Sequence, residues 1–91
     1  MDIRWTPEAA ADLESICAYI AADSSDAAWR VAARICEAVE SLTLFPQRGR
    51  LGRVEGSREL VVSGLPYVVI YEVVVGSVHA LRVIHGARRW P

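Results

Sequence analysis

The spacing of apolar residues changes once along this chain, at Phe45-Pro46, and that change sets what its 91 residues can build. Before it, Leu13, Ile16, Cys17 and Ile20 recur at intervals of three and four, as do Ala28, Ala32, Ile35, Val39 and Leu42. Each set forms one stripe along a helix. After it, "RELVV", "YVVIYEVVV" and "VHALRVIH" follow a period of two and read as strands. A short "DIRW" ahead of the first helix, with Ile3 flanked by charges, reads as an edge strand. The order is βααβββ, an α+β fold with a helical hairpin packed on an antiparallel sheet.

The boundaries carry their own chemistry. Thr6 is an N-cap, Pro7 has no N–H to leave unpaired at the first helical position, and Glu8 suits the positive end of the helix dipole. "ADSSDAA" interrupts the helical pattern, and Ser24 or Ser25 caps a second helix running to about Leu44. Gly76-Ser77 is the expected hairpin turn, with glycine first as a type II′ turn wants. That register sets Tyr71 opposite Arg82 and Val68 opposite His85. It also groups Val83 and His85 with Val68 and Ile70 on one face of the sheet. A chain of this length has room for one core, so residues 1–91 are expected to form a single domain.

With 53% hydrophobic and 23% charged residues the chain is too apolar for disorder, and no apolar run approaches the ~18 residues of a membrane helix. Asp2 and Pro7 at the start are unlike an export signal, so a cytoplasmic location is expected, with no membrane partner. Cys17 and Cys36 fall within helical patterns and read as reduced core residues, although helices joined by a short turn allow a disulfide. Trp5 and Trp29 read as core or helix-packing residues. His79 and His85 have no ligand spacing, so neither a metal nor a cofactor is expected.

The net charge of −1 hides an asymmetry: residues 1–45 carry eight acids against three arginines, and residues 46–91 carry seven arginines against three acids. There is no lysine. Planar guanidinium forks suit phosphate, carboxylate and aromatic contacts, which marks the second half as the recognition half. Its end, "HGARRWP", joins His85, Arg88, Arg89 and Trp90 at the rim of the sheet, a composition suited to a macromolecular partner.

Together, "GRLGR" after the second helix, "RELVV", "PYVVIYEV" and "LRVIHGARRWP" resemble toxins of the RelE/ParE superfamily of bacterial toxin–antitoxin modules, over essentially the whole chain. The resemblance implies a cognate antitoxin whose C-terminal segment wraps the toxin. It also implies one of two targets: messenger RNA cut in the ribosomal A site, or DNA gyrase inhibited without cleavage chemistry. RelE-like nucleases are expected to carry an arginine early on the central strand, lysines on the preceding strand and a tyrosine near the C-terminus. This chain has Val68, Glu59 and Val61 at those strand positions and no tyrosine after Tyr71, so the resemblance favours the ParE-like branch, with DNA gyrase as target.

On that reading His85, Arg88, Arg89 and Trp90 contact the target, and Arg48, Arg50, Arg53, Tyr67 and Tyr71 contact the antitoxin. The runner-up is a RelE-like nuclease using His85, Arg58, Arg82 and Arg88, and a third alternative is a non-toxic antitoxin-binding module. Neither sequence-specific nucleic-acid binding nor a cofactor is expected.

Overall fold

Thr6 and Ser24 are the caps that start the two helices. In the computed structural model, which describes Met1–Pro91, the Thr6 hydroxyl accepts from the Ala9 amide at 3.1 Å and the Ser24 hydroxyl from the Ala27 amide at 3.1 Å. They open α1 (Pro7–Ala21) and α2 (Ser25–Glu40), which continues into a 3-10 turn at Ser41–Thr43. The strands are β1 (Asp2–Trp5), β2 (Arg50–Leu51), β3 (Ser57–Val61), β4 (Tyr67–Val74) and β5 (Ser77–His85). They form one sheet in the order β1-β5-β4-β3-β2. The α+β class and the helical hairpin on a sheet are therefore as expected. No helix is long and apolar enough to cross a membrane.

Two details differ from the expected topology. The sheet is mixed, because β1 runs parallel to β5. The Arg-rich loop also supplies a fifth strand, β2, too short to show a period, which pairs with β3 through Arg50–Glu59 and Leu51–Arg58.

The hairpin register differs as well. The turn is Val75–Gly76, with Gly76 at φ +79° in the second loop position, a conformation that glycine adopts without a Cβ penalty. Val74 therefore faces Ser77, and Tyr71 faces Ala80 rather than Arg82. A bulge then inserts Leu81, so that Ile70 faces Arg82, Val68 faces Ile84 and Tyr67 faces His85. One extra residue reverses sidedness beyond it. Val83 and His85 thereby join Val69 and Tyr67, on the face opposite to the one that unbroken alternation assigns.

The helix-facing side holds the main core: Ile35, Val39 and Leu42 from the helical half against Leu60, Val62, Val69, Tyr71, Val78 and Val83. Full burial of each such aliphatic chain stabilises the fold by about 1.5–3 kcal/mol. Trp5 packs on this core, but Trp29 is 77% exposed, because the two-helix layer covers the sheet with its other faces. Cys17 is half-buried and Cys36 exposed, and both are free thiols, so Cys36 is not a core residue. The opposite side of the sheet carries a smaller cluster, Val68, Ile70 and Ile84, under Leu81 and Trp90.

Beyond Ala80, β1 has ended and the edge of β5 would be left open. Helix α1 closes it. The Thr6 hydroxyl donates to the Leu81 carbonyl at 3.0 Å, and one oxygen of Asp12 accepts from the Val83 amide at 2.9 Å and from Arg82 Nε at 2.6 Å. The other Asp12 oxygen accepts from Arg82 Nη2 at 3.1 Å. Hydrogen bonding to Asp12 holds the Arg82 guanidinium above its ordinary pKa, against the opposing effect of desolvation. Replacing Asp12 by alanine removes all three acceptor contacts and is expected to cost about 2 kcal/mol, measured as a lower urea midpoint. Arg82→Ala leaves the Val83 amide paired and is expected to cost less; an equal or larger loss would mean that the carboxylate does not serve the strand edge.

Candidate functional site

The site starts from a loop that has almost no regular structure to hold it. Between Leu44 and Arg50 the chain is fixed by one buried phenol: Tyr71, 0% exposed, donates from Oη to the Pro46 carbonyl at 2.8 Å and accepts from the Gly49 amide at 2.9 Å. Arg58 braces the same loop, donating from Nη1 to the carbonyls of Gly49 at 2.8 Å and Gln47 at 3.3 Å. Gly49 is required by contact: a Cβ there would lie 2.7 Å from the Tyr71 ring and 2.9 Å from the Glu59 carbonyl. Thus clamped, the loop delivers Arg50 to β2 with its side chain on Glu59, through Nε at 3.2 Å and Nη2 at 3.0 Å, both to Oε1.

The other wall is the C-terminal turn. The Gly86 amide donates to the Pro66 carbonyl at 2.7 Å, the Arg88 amide to the His85 carbonyl at 2.9 Å, and the Ala87 amide to His85 Nδ1 at 3.2 Å. This folds Arg88, Arg89 and Trp90 back over the smaller apolar cluster. A groove of about 230 Å³ results, with Arg50, Arg53, Arg88 and Arg89 around a floor of Val68, Ile70, Ile84 and Trp90. Glu59 is its one acid, and the side chains of Arg53, Arg88 and Arg89 take part in no ion pair. No group of three metal-ligating side chains forms.

Of the residues expected to contact the target, three meet here and one does not. His85 sets its ring edge-on to Tyr67, centroids 6.0 Å apart, on the helix-facing side, and does not line the groove. The nuclease quartet also fails to converge. Arg58 is spent on the loop, Arg82 on Asp12, and His85 and Arg88 lie on opposite faces. The five residues expected at the antitoxin surface separate too. Arg50 and Arg53 belong to the arginine groove, and Arg48 lines a second groove between α2 and the outer edge of β3. Tyr67 packs on the core, and Tyr71 is an internal strut whose burial removes it from any contact surface.

The family model for the ParE toxin of type II toxin–antitoxin systems matches residues 3–90, nearly the whole chain. This chain belongs to that family. In the chromosomal ParDE system of P. aeruginosa, a chain that is 28% identical superposes with a TM-score of 0.83 over 93% of this chain and 95% of its own. By sequence, the chain is 45% identical to Y4kP of Sinorhizobium fredii, over 98% of this chain and 92% of that one. It is also 48% identical to the toxin RelE2 of Caulobacter vibrioides, over 94% and 96% respectively.

Glu59 and the loop arginines are what sequence reasoning placed elsewhere. Their convergence depends on pairing across the short β2 strand, and the available signal was charge complementarity across the Gly56 turn, which takes φ +85°. In this ParE-family chain the loop clamp is testable without touching the groove. Tyr71→Phe strands the Gly49 amide and is expected to cost about 1–3 kcal/mol in urea unfolding. Gly49→Ala should also broaden or shift the amide resonances of Arg50 to Arg53, and unchanged resonances would show that the loop is held by other contacts.

Proposed function

We propose that this chain is a ParE-like toxin that inhibits DNA gyrase by contact through the arginine groove and is neutralised by a cognate antitoxin. The observation that carries this reading is the division of labour among the cations. Arg58 and Arg82, which a phosphoryl-transfer site would need free, are committed to the Gly49 and Gln47 carbonyls and to Asp12, whereas Arg53, Arg88 and Arg89 stand unpaired beside Trp90. Cleavage of RNA needs a base, an acid and cations converging on one phosphate, and the loss of a single charge-stabilising donor commonly costs about 100-fold to 1,000-fold in rate. A surface that acts by binding needs only exposed, complementary groups.

The antitoxin is assigned to the second groove. β2 covers β3 only at Arg58 and Glu59, so the outer edge of β3 is left without a strand at Leu60 and Val61. Val61 is 53% exposed there, and the groove of about 240 Å³ alongside is lined by Arg34, Glu37 and Arg48 as well as Leu60 and Val62. An extended segment that added to this edge would gain main-chain hydrogen bonds from the strand and charged contacts from α2. Arg48 is the one residue of the expected antitoxin set that this placement retains.

Ribosome-dependent RNA cleavage is the second reading, favoured by the RelE2 name of the Caulobacter vibrioides relative. Purified protein assayed for inhibition of gyrase supercoiling, and separately for cleavage of messenger RNA on translating ribosomes, decides between them. Inhibition without cleavage is expected. Expression without an antitoxin is expected to arrest growth; normal growth would favour a non-toxic binding module. Truncation after Gly86 and the milder Arg88→Ala/Arg89→Ala variant are both expected to abolish arrest while retaining antitoxin binding. Full toxicity in both would overturn the assignment of the groove.

A further inference from the structure

Three unpaired guanidinium groups crowd a groove that also displays an indole, and this pairing of chemistries narrows what the groove accepts. Resting on the reading that the arginine groove faces the target, we propose that it binds one nucleotide unit of a single-stranded nucleic acid. The phosphodiester lies against Arg53, Arg88 and Arg89, and the base lies on Trp90.

Four arginines face one carboxylate here, so the ligand is an anion. Guanidinium forks match phosphate oxygens in pairs, and an indole offers a flat face on which any base stacks. An acidic peptide satisfies the first requirement but not the second. Trp90 is packed against Val68, Ile70 and Ile84, so it is held as a platform rather than free to swing. The groove's volume of about 230 Å³ is below the ~300–1,000 Å³ typical of clefts that enclose a drug-sized ligand. It therefore takes a single flat unit while the rest of the strand runs past its open rim. A paired base inside a duplex has no free face to offer, which selects single-stranded nucleic acid.

Glu59 sets the strength of the site. Its carboxylate holds Arg50 at 3.0 Å, with side-chain exposures of 18% for Glu59 and 66% for Arg50. The pair withholds one cation from the ligand and places one negative charge beside it. Removing the carboxylate charge should therefore tighten binding, a gain that simple loss of structure does not produce.

The test is fluorescence anisotropy of the whole protein with labelled single strands of about eight nucleotides, thymidine DNA and uridine RNA, at two salt concentrations. With one phosphate neutralised by the three guanidinium groups, affinity should fall about 2.6-fold between about 50 and 200 mM salt. Arg88→Ala/Arg89→Ala should weaken binding and flatten that dependence, and Trp90→Leu should weaken it about 5-fold to 100-fold with the salt dependence retained. Glu59→Gln should bind about threefold more tightly. The proposal is overturned if neither strand binds, if the arginine variants bind as the parent does, or if a polyglutamate peptide competes as well as an unlabelled strand. The DNA and RNA arms distinguish the source of the strand.

The gyrase reading fails separately. A protein that binds strands but leaves supercoiling untouched keeps the site and loses the gyrase reading, and one that inhibits gyrase without binding strands does the reverse.

Discussion

A single phenolic oxygen, Tyr71 Oη, ties the least regular part of this chain to the most regular. It bridges the Pro46 carbonyl and the Gly49 amide from the middle of the central strand, and both loop groups lie where the sheet offers them no ladder partner. A buried amide or carbonyl left unpaired costs about 1–3 kcal/mol, so the loop has strong reason to stay on the tyrosine. Everything downstream inherits that position: Arg58 can reach the Gly49 carbonyl, β2 can pair with β3, and Arg50 can meet Glu59. The arginine groove is thus a consequence of core packing, although none of its lining residues belongs to the main core.

The cations of the second half divide into two kinds that composition alone cannot separate. Arg58 and Arg82 act as hydrogen-bond donors that hold backbone and carboxylate in place, and their charge is locally answered. Arg53, Arg88 and Arg89 stand beside an aromatic with their charge unanswered. Sequence proximity is misleading here. Arg82 and Arg88 lie six positions apart, yet Arg82 is held by Asp12 at the β5 edge, whereas Arg50 and Arg88 line one groove.

How much of this was legible in the sequence depended on how local the cause is. Caps and helix limits were legible at Thr6, Pro7 and Ser24, because an N-cap hydroxyl and its acceptor role sit within one turn. The fold class was legible in the change of period at Pro46, and three of the groove's residues in the terminal "RRW". What was not legible depends on distant pairings. Tyr71 looks like any aromatic on a strand until the loop from Pro46 to Gly49 is seen to need it. Glu59 looks like a solvated acid until β2 forms. Arg82 looks free until α1 brings Asp12 beside it. The hairpin register was misplaced because Gly76 serves the second loop position, and alternation has no way to announce the inserted Leu81.

That inserted residue has a consequence for reading other members of the family. Parity along β5 is reset at Leu81, so positions on its two halves that match in odd or even number do not share a side. A comparison of relatives that assumes uniform alternation would transfer a histidine like His85 into the arginine groove and build a reactive centre from groups separated by the thickness of the sheet. Whether a relative keeps, shifts or loses this one-residue insertion therefore determines which of its C-terminal side chains can ever meet one another.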